Sequence, residues 1–214
     1  MVRRDFVPNL LASAGLFLLP LALRPERLAH ASPWIAFATA CVILMSQPQL
    51  DRRETVKADA ADRLSALAIF VAQLGVGLVS VLDFGYGRGA GSVPGWALAL
   101  GVVIVVAATA LRLWSIRTLG RFFTSNVRVL EGHRVVRSGP YRLLRHPSYT
   151  GALGMALGTA FVLGSAWGAL AVLVLSVPAY LHRMRVEETA LAASLGDEYR
   201  DYMRQSWRLV PYVF

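Results

Sequence analysis

With 214 residues, 56% of them hydrophobic and only 16% charged, this chain falls outside the composition of soluble globular domains, which carry about 25% charged residues. Its mean hydropathy of +0.51 points to one membrane domain rather than a soluble fold. The net charge of +9 does not call for nucleic acid: no basic helix with interleaved aromatics lies outside the apolar segments, and arginines that set topology and attract anionic lipid headgroups account for it.

Five stretches lack Asp, Glu, Lys and Arg: Phe6 to Leu23, Leu28 to Leu50, Leu64 to Leu82, Gly89 to Leu111 and His146 to His182. About 20 apolar residues cross a hydrocarbon core roughly 30 Å thick, so each of the first four predicts one transmembrane helix. Arg3 and Arg4 before the first, and Ala29-His30-Ala31 after it, have the layout of a secretory signal. The charged Arg24-Pro25-Glu26-Arg27 run ahead of that site favours an uncleaved span instead. Cys41, the single cysteine, falls mid-span and reads as a buried apolar residue, with no disulfide or cysteine-rich metal site available. The run from Gly85 to Gly91 resembles a phosphate-binding loop only in its glycines. No strand precedes it and no lysine-bearing phosphate helix follows, so it reads as a connector. The fifth stretch is too long for one crossing and breaks at Gly164-Ser165-Ala166, which predicts a helical hairpin with arms near 149–163 and 167–181.

Six crossings place the N-terminus, the 51–63 loop, the 112–145 segment and the C-terminal tail on one side. That side holds every Lys and Arg except Arg24, Arg27 and Arg88. Positive residues are retained in the cytoplasm, so both termini are expected there. The predicted fold is all-α: a polytopic membrane protein of about six transmembrane helices, with a cytoplasmic lid segment over 115–146 and a C-terminal amphipathic helix. Residues 1–111 supply N-terminal transmembrane helices, and 112–214 the region that carries chemistry. From Leu181 to Gln205 the chain reads as a helix leaving the membrane, interrupted at Gly196, with Asp197 capping the next helix.

Three segments of that region stand out. The first is Gly132-His133-Arg134-Val135-Val136-Arg137-Ser138-Gly139-Pro140-Tyr141; the second is Arg145-His146-Pro147-Ser148-Tyr149-Thr150-Gly151. The third is Arg183-Met184-Arg185-Val186-Glu187-Glu188, followed by Gly196-Asp197-Glu198-Tyr199-Arg200-Asp201-Tyr202. A hairpin returns the chain to the side it left, so Arg183 and Glu187 are expected near His146. Pro147 suits the first position of a helix, which leaves His146 beside unpaired N–H groups and a positive dipole end. Gly151, Gly154 and Gly158 share one face of that helix and allow close packing in lipid. Glu187 and Glu188 at the end of a span are costly unless they face a polar cavity, which makes them functional candidates. His133, His146 and Glu187 show no ligand spacing on one element, so no metal is expected.

The combination of the Arg145–Tyr149 block, the Glu187-Glu188 pair and the Gly196–Tyr202 segment resembles the isoprenylcysteine carboxyl methyltransferase family, a relative of membrane phospholipid methyltransferases. The resemblance covers roughly residues 112–212. It implies an integral membrane methyltransferase using S-adenosyl-L-methionine, held by Asn126, His133, Arg134, Val135, Val136, Tyr141, His146, Pro147, Ser148, Tyr149 and Glu187. It implies further that Arg183 binds the methyl-accepting carboxylate, so that Arg183 and Glu187 are the catalytic candidates. The expected partners are a lipophilic methyl acceptor reached from the bilayer and membrane lipids, with no nucleic acid. A carboxylate (pKa about 4) is already a nucleophile at pH 7 and needs no base. A lipid amine or a thiol would need one, with His146 or Glu188 the available groups. A membrane reductase of the sterol reductase type, binding a nicotinamide cofactor, is the alternative from another class.

Overall fold

A computed structural model describes residues 6–47, 60–87, 91–124, 132 and 134–213. Among the described residues the chain is all-helical, with one isolated parallel bridge between Leu144 and Trp207. The helices are α1 (Phe6–Phe17), α2 (Ala31–Met45), α3 (Ala60–Tyr86), α4 (Gly95–Leu119), α5 (Pro147–Val162), α6 (Ala166–Leu195) and α7 (Asp197–Gln205). Three of them, α3, α4 and α6, are long and apolar enough to cross a membrane. The 30 residues of α6, at about 1.5 Å each, are longer than a hydrocarbon core is thick.

The first two apolar stretches yield shorter helices than the sequence predicts, 12 residues in α1 and 15 in α2. Pro20 and Pro25 are the local reason: each opens a tight 3-10 turn, over Leu19–Leu21 and Pro25–Ala29, where a missing N–H is tolerated. Leu21 is thereby driven into a cluster with Phe17, Ala36, Val81, Phe84 and Leu163, which closes this end of the bundle. The last turn of α3 is tied to the same end. Tyr86 donates its hydroxyl to the Pro20 carbonyl at 2.7 Å, and the Arg24 guanidinium lies 5.5 Å over its ring.

Helix α4 continues to Leu119, past the Arg112 at which the charge pattern placed its end. Arg112 is 3% exposed and satisfied from two neighbours: it donates to Ser46 Oγ at 2.9 Å and to the Ser148 carbonyl at 3.1 Å. A buried charge with such partners does not end a helix; Gly120, at a φ of 56°, does.

Among the described residues the contact between α4 and α5 is the most extensive between any two helices, and glycines make it close. A Cβ on Gly101 would lie 2.6 Å from the Val162 nitrogen and 2.8 Å from the Gly158 carbonyl oxygen, and one on Gly151 2.8 Å from the Ala108 carbonyl oxygen. Such small-residue faces let backbones approach where lipid supplies no hydrophobic drive between helices.

After the turn at Gly164 (φ 61°), Ser165 caps α6 by accepting from the Gly168 N–H at 2.8 Å and donates to Asp83 Oδ2 at 2.7 Å. Within α6, Val172–Ser176 widens into a π turn. Pro178 explains it: a proline cannot donate to the carbonyl four residues back and crowds it, and the wider turn relieves both. Ser176, fully buried, donates to Gln73 Oε1 at 2.9 Å and pins the widened turn to α3. At the far end Gly196 (φ 60°) separates α6 from α7 and itself occupies the cap position. Asp197, expected there, is the first residue of α7 and pairs with Arg200 at 2.8 Å, because the positive φ that the junction requires belongs to glycine.

Gly158→Val places a branched side chain against the Gly101 carbonyl and should destabilise the folded protein by about 1–3 kcal/mol. Gly95→Ala, in open space at the start of α4, should leave stability within about 0.5 kcal/mol. Thermal unfolding of the two variants in one detergent checks the difference.

Candidate active site

The site is assembled where the end of α4, the start of α5, the last turns of α6 and the chain after α7 meet. The turn before α5 is made rigid by the C-terminal tail. Trp207 N–H donates to the Leu143 carbonyl at 2.9 Å, Arg145 N–H to the Trp207 carbonyl at 2.7 Å, and His146 N–H to the Arg208 carbonyl at 3.2 Å. Thr150 adds a side-chain bond to the Leu209 carbonyl at 2.8 Å. From α7, the buried Tyr202 hydroxyl reaches the carbonyls of Tyr141 at 2.8 Å and Leu144 at 3.1 Å. Gly139 (φ 55°) brings the preceding segment onto α4, where a Cβ would come 3.0 Å from Thr118 Oγ1. Pro147 then starts α5, and His146 sits just before its first turn, 4% exposed.

Glu188 is the electrostatic centre. It is 5% exposed and gathers three cationic or polar side chains from two other parts of the chain. Arg145 Nη1 donates to Oε1 at 3.1 Å, Arg208 donates through Nε at 3.2 Å to Oε1 and through Nη2 at 2.6 Å to Oε2, and His146 Nε2 lies 3.1 Å from Oε1. A buried carboxylate is tolerated when it is paired and hydrogen-bonded in this way. The neighbouring Glu187 faces the other way round the helix and is partly open, with its side chain 28% exposed. It accepts the Tyr149 hydroxyl at 2.9 Å and lies 3.6 Å from His146 Nδ1. Both ring nitrogens of His146 therefore face carboxylates. Its ring stacks on Tyr149, 5.4 Å between centroids at 9°, and Tyr149 leans on Tyr180 at 5.2 Å.

Arg183 lies one turn before Glu187. Its guanidinium is held from α3: Nη1 donates to the Asp62 carboxylate, to the Asp62 carbonyl at 3.2 Å and to Ser65 Oγ at 3.0 Å. Both members of this ion pair are buried, with side chains 6% and 5% exposed.

One cavity collects these groups. It is lined by Arg183, Glu187, His146, Ser148 and Tyr149 together with Tyr141, Arg134, Val135, Val136, Phe122, Phe123 and Thr124. Leu191, Leu195, Tyr199 and Tyr202 complete it from α6 and α7. Arg134, Val135, Val136, Tyr141, His146, Ser148, Tyr149, Arg183 and Glu187, all singled out from the sequence, thus line one cavity. Pro147 does not join them: it is fully buried beneath, where its role is to start α5. Asn126 and His133 lie outside the described residues. Asp62, Ser65 and Arg208 are the residues that sequence reasoning passed over. Asp62 had a usable signal, since an acid at the end of an apolar stretch invites the same reading as Glu187 and Glu188. Arg208 had none that separates it from a topogenic arginine.

Comparison with known proteins bears on the same region. Residues 99–193 match the model of the isoprenylcysteine carboxyl methyltransferase (ICMT) family. The chain is 32% identical over 120 residues to protein-S-isoprenylcysteine O-methyltransferase B of Arabidopsis thaliana, covering 55% of this chain and 61% of that protein. It is 28% identical over 120 residues to protein-S-isoprenylcysteine O-methyltransferase of Tribolium castaneum, covering 43% of that protein. The chain thus spans less than two thirds of the length of these relatives. The fold is similar to that of the eukaryotic intramembrane Ras methyltransferase ICMT, with a TM-score of 0.55 at 19% identity over 94% of this chain and 74% of the other.

Arg208→Ala removes two donors from a buried carboxylate and should cost about 1–3 kcal/mol of stability, read from the unfolding midpoint in detergent. Burial, the largest cause, pushes the Tyr202 hydroxyl up to about 12, against about 10 for an unperturbed tyrosine. A raised pKa favours the protonated folded state, so this contribution is complete below pH 10 and is lost as pH rises through 12. An absorbance titration of tyrosinate should lose the component near pH 12 in Tyr202→Phe.

Proposed function

We infer that this chain, whose residues 99–193 match the model of the isoprenylcysteine carboxyl methyltransferase family, is an integral membrane methyltransferase of that family. In this reading it transfers the methyl group of S-adenosylmethionine to the carboxylate of an isoprenylcysteine-like or other lipophilic acid. The observation that carries the reading is the pairing of Arg183 and Glu187, one helical turn apart on a helix apolar enough to cross a membrane, both lining one cavity.

The donor set fits the two reactants. Arginines converge on Glu188, while the partly open Glu187 lines the cavity and suits a cationic group. Val135, Val136, Leu191 and the ring of Tyr141 offer apolar surface for a flat base. When bound, the cofactor supplies an electrophilic methyl on a sulfonium. Glu187 holds the cationic part of that molecule, His146 and Tyr149 form the wall beside it, and Arg183 orients the acceptor carboxylate by charge-assisted hydrogen bonds. Positioning of the two reactants by these residues would supply up to about 7–11 kcal/mol of barrier reduction.

The state of the candidate bases supports a carboxylate over an amine or thiol. Glu188 takes hydrogen bonds from Arg145 and Arg208, and both His146 nitrogens face carboxylates. A carboxylate acceptor, ionised at pH 7, requires neither as a base. The wider arrangement follows. Residues 112–214 form the catalytic region; α5 and α6 make a hairpin within a six-crossing topology; within the 115–146 segment, the part between the end of α4 and Gly139 acts as a lid; both termini and the site face the cytoplasm. The acceptor enters sideways from the bilayer, and the cofactor from water.

Calorimetry on detergent-purified protein tests this. S-adenosylhomocysteine should bind in the micromolar range, and Glu187→Ala should abolish the heat. Arg183→Ala should keep cofactor binding and lose about 100-fold in methyl transfer to a prenylated cysteine acid. Binding of a nicotinamide cofactor in place of S-adenosylhomocysteine would move the protein to the reductase class.

A further inference from the structure

Helix α3 lies outside the family-matched region 99–193, yet it reaches into the site through its first turns. Three acceptors from α3 surround Arg183 Nη1: the Asp62 carboxylate, the Asp62 carbonyl at 3.2 Å and Ser65 Oγ at 3.0 Å. Ser65 donates its own hydroxyl proton to the Asp62 carbonyl at 2.8 Å, so the hydroxyl oxygen is turned to accept. The arrangement fixes the guanidinium at one nitrogen and balances its charge with a buried carboxylate, while Arg183 still lines the cavity.

The charge balance has a kinetic meaning that rests on the carboxylate-methylating reading above. In the transfer, the acceptor oxygen forms a bond to the methyl carbon as the carbon–sulfur bond breaks. The electron pair of that bond goes to sulfur, no proton moves, and the acceptor ends as a neutral ester. Negative charge on the acceptor therefore falls along the reaction. A buried arginine with no counter-charge would stabilise the starting carboxylate more than the transition state, and binding of that kind slows the chemical step. A cation already paired orients the carboxylate without over-stabilising it.

We propose that Asp62 is a positioning residue that holds Arg183 from α3 and tempers its charge, so that the acceptor carboxylate is aligned but not trapped. The N-terminal helices thereby set the acceptor's affinity as well as the fold.

The test compares binding of an S-prenylated cysteine acid and its methyl ester by calorimetry, together with steady-state methyl transfer, in the wild type, Asp62→Asn and Asp62→Glu. Wild-type protein should bind acid and ester within about tenfold of each other. Asp62→Asn should bind the acid about tenfold more tightly, leave the ester unchanged and lower kcat by about tenfold, so that KM and kcat fall together; Asp62→Glu should restore both. An acid affinity that is unchanged or weaker in folded Asp62→Asn overturns the proposal. Should that variant fail to fold, the wild-type comparison decides: parity within about tenfold supports the proposal, and a larger preference for the acid overturns it. Wild-type protein that binds neither the acid nor S-adenosylhomocysteine overturns the underlying reading. Binding of both, with an unaltered acid affinity in Asp62→Asn, overturns the role of Asp62 alone.

Discussion

Glu188 is a buried carboxylate towards the end of a helix apolar enough to cross a membrane, and two other segments of the chain supply the groups that satisfy it. Arg145 and His146 come from the turn that starts α5, Arg208 from the chain beyond α7, and Glu188 itself from α6. Leaving such a charge unpaired costs several kcal/mol. The C-terminal tail therefore cannot leave the α5 turn without exposing that cost, and the backbone pairing of Trp207 with Leu143 and Arg145 follows the same path. The position of His146, and through it the stack with Tyr149, depends on this cluster.

The same economy of charge separates the two adjacent glutamates. Successive residues on a helix point about 100° apart, so Glu188 turns into the protein and Glu187 towards the cavity. Arginines converge on the first, while the second meets only Tyr149 and His146 among the pairings described. A single dipeptide thus supplies a structural anion and a cavity-facing anion. Arg183, one turn earlier, is treated in the opposite sense: it lines the cavity yet is held by an acid from α3.

Packing in the apolar part of the bundle serves these polar contacts. The glycines of α4 and α5 let the two backbones meet closely, which brings Arg112 within reach of the Ser148 carbonyl. The widened turn at Val172–Ser176 and its bond to Gln73 fix α6 against α3, upstream of the Arg183–Asp62 pair.

Much of this was legible in the sequence because it depends on local chemistry. A hydrophobic run long enough to span lipid, a proline at the first position of α5, a glycine at the α6–α7 junction and a costly pair of glutamates at a span's end each carry their own physical reason. The Arg145–Tyr149 block stood out as a site through its resemblance to a family, and Glu187 through both that resemblance and its cost at a span's end. Partner choice was not legible, because it depends on which distant segments meet. Arg112, Arg145 and Arg208 look alike in the sequence as basic residues beside apolar runs, yet one holds α4 against α5 and two hold Glu188. Asp62 and Arg183 are 121 positions apart, and no local signal joins them. The sequence by itself determined where helices can exist and which side chains are too costly to leave alone; only the tertiary structure decided which of those side chains satisfy one another, since a charge buried in an apolar bundle takes its partner from whatever the packing brings within about 3 Å.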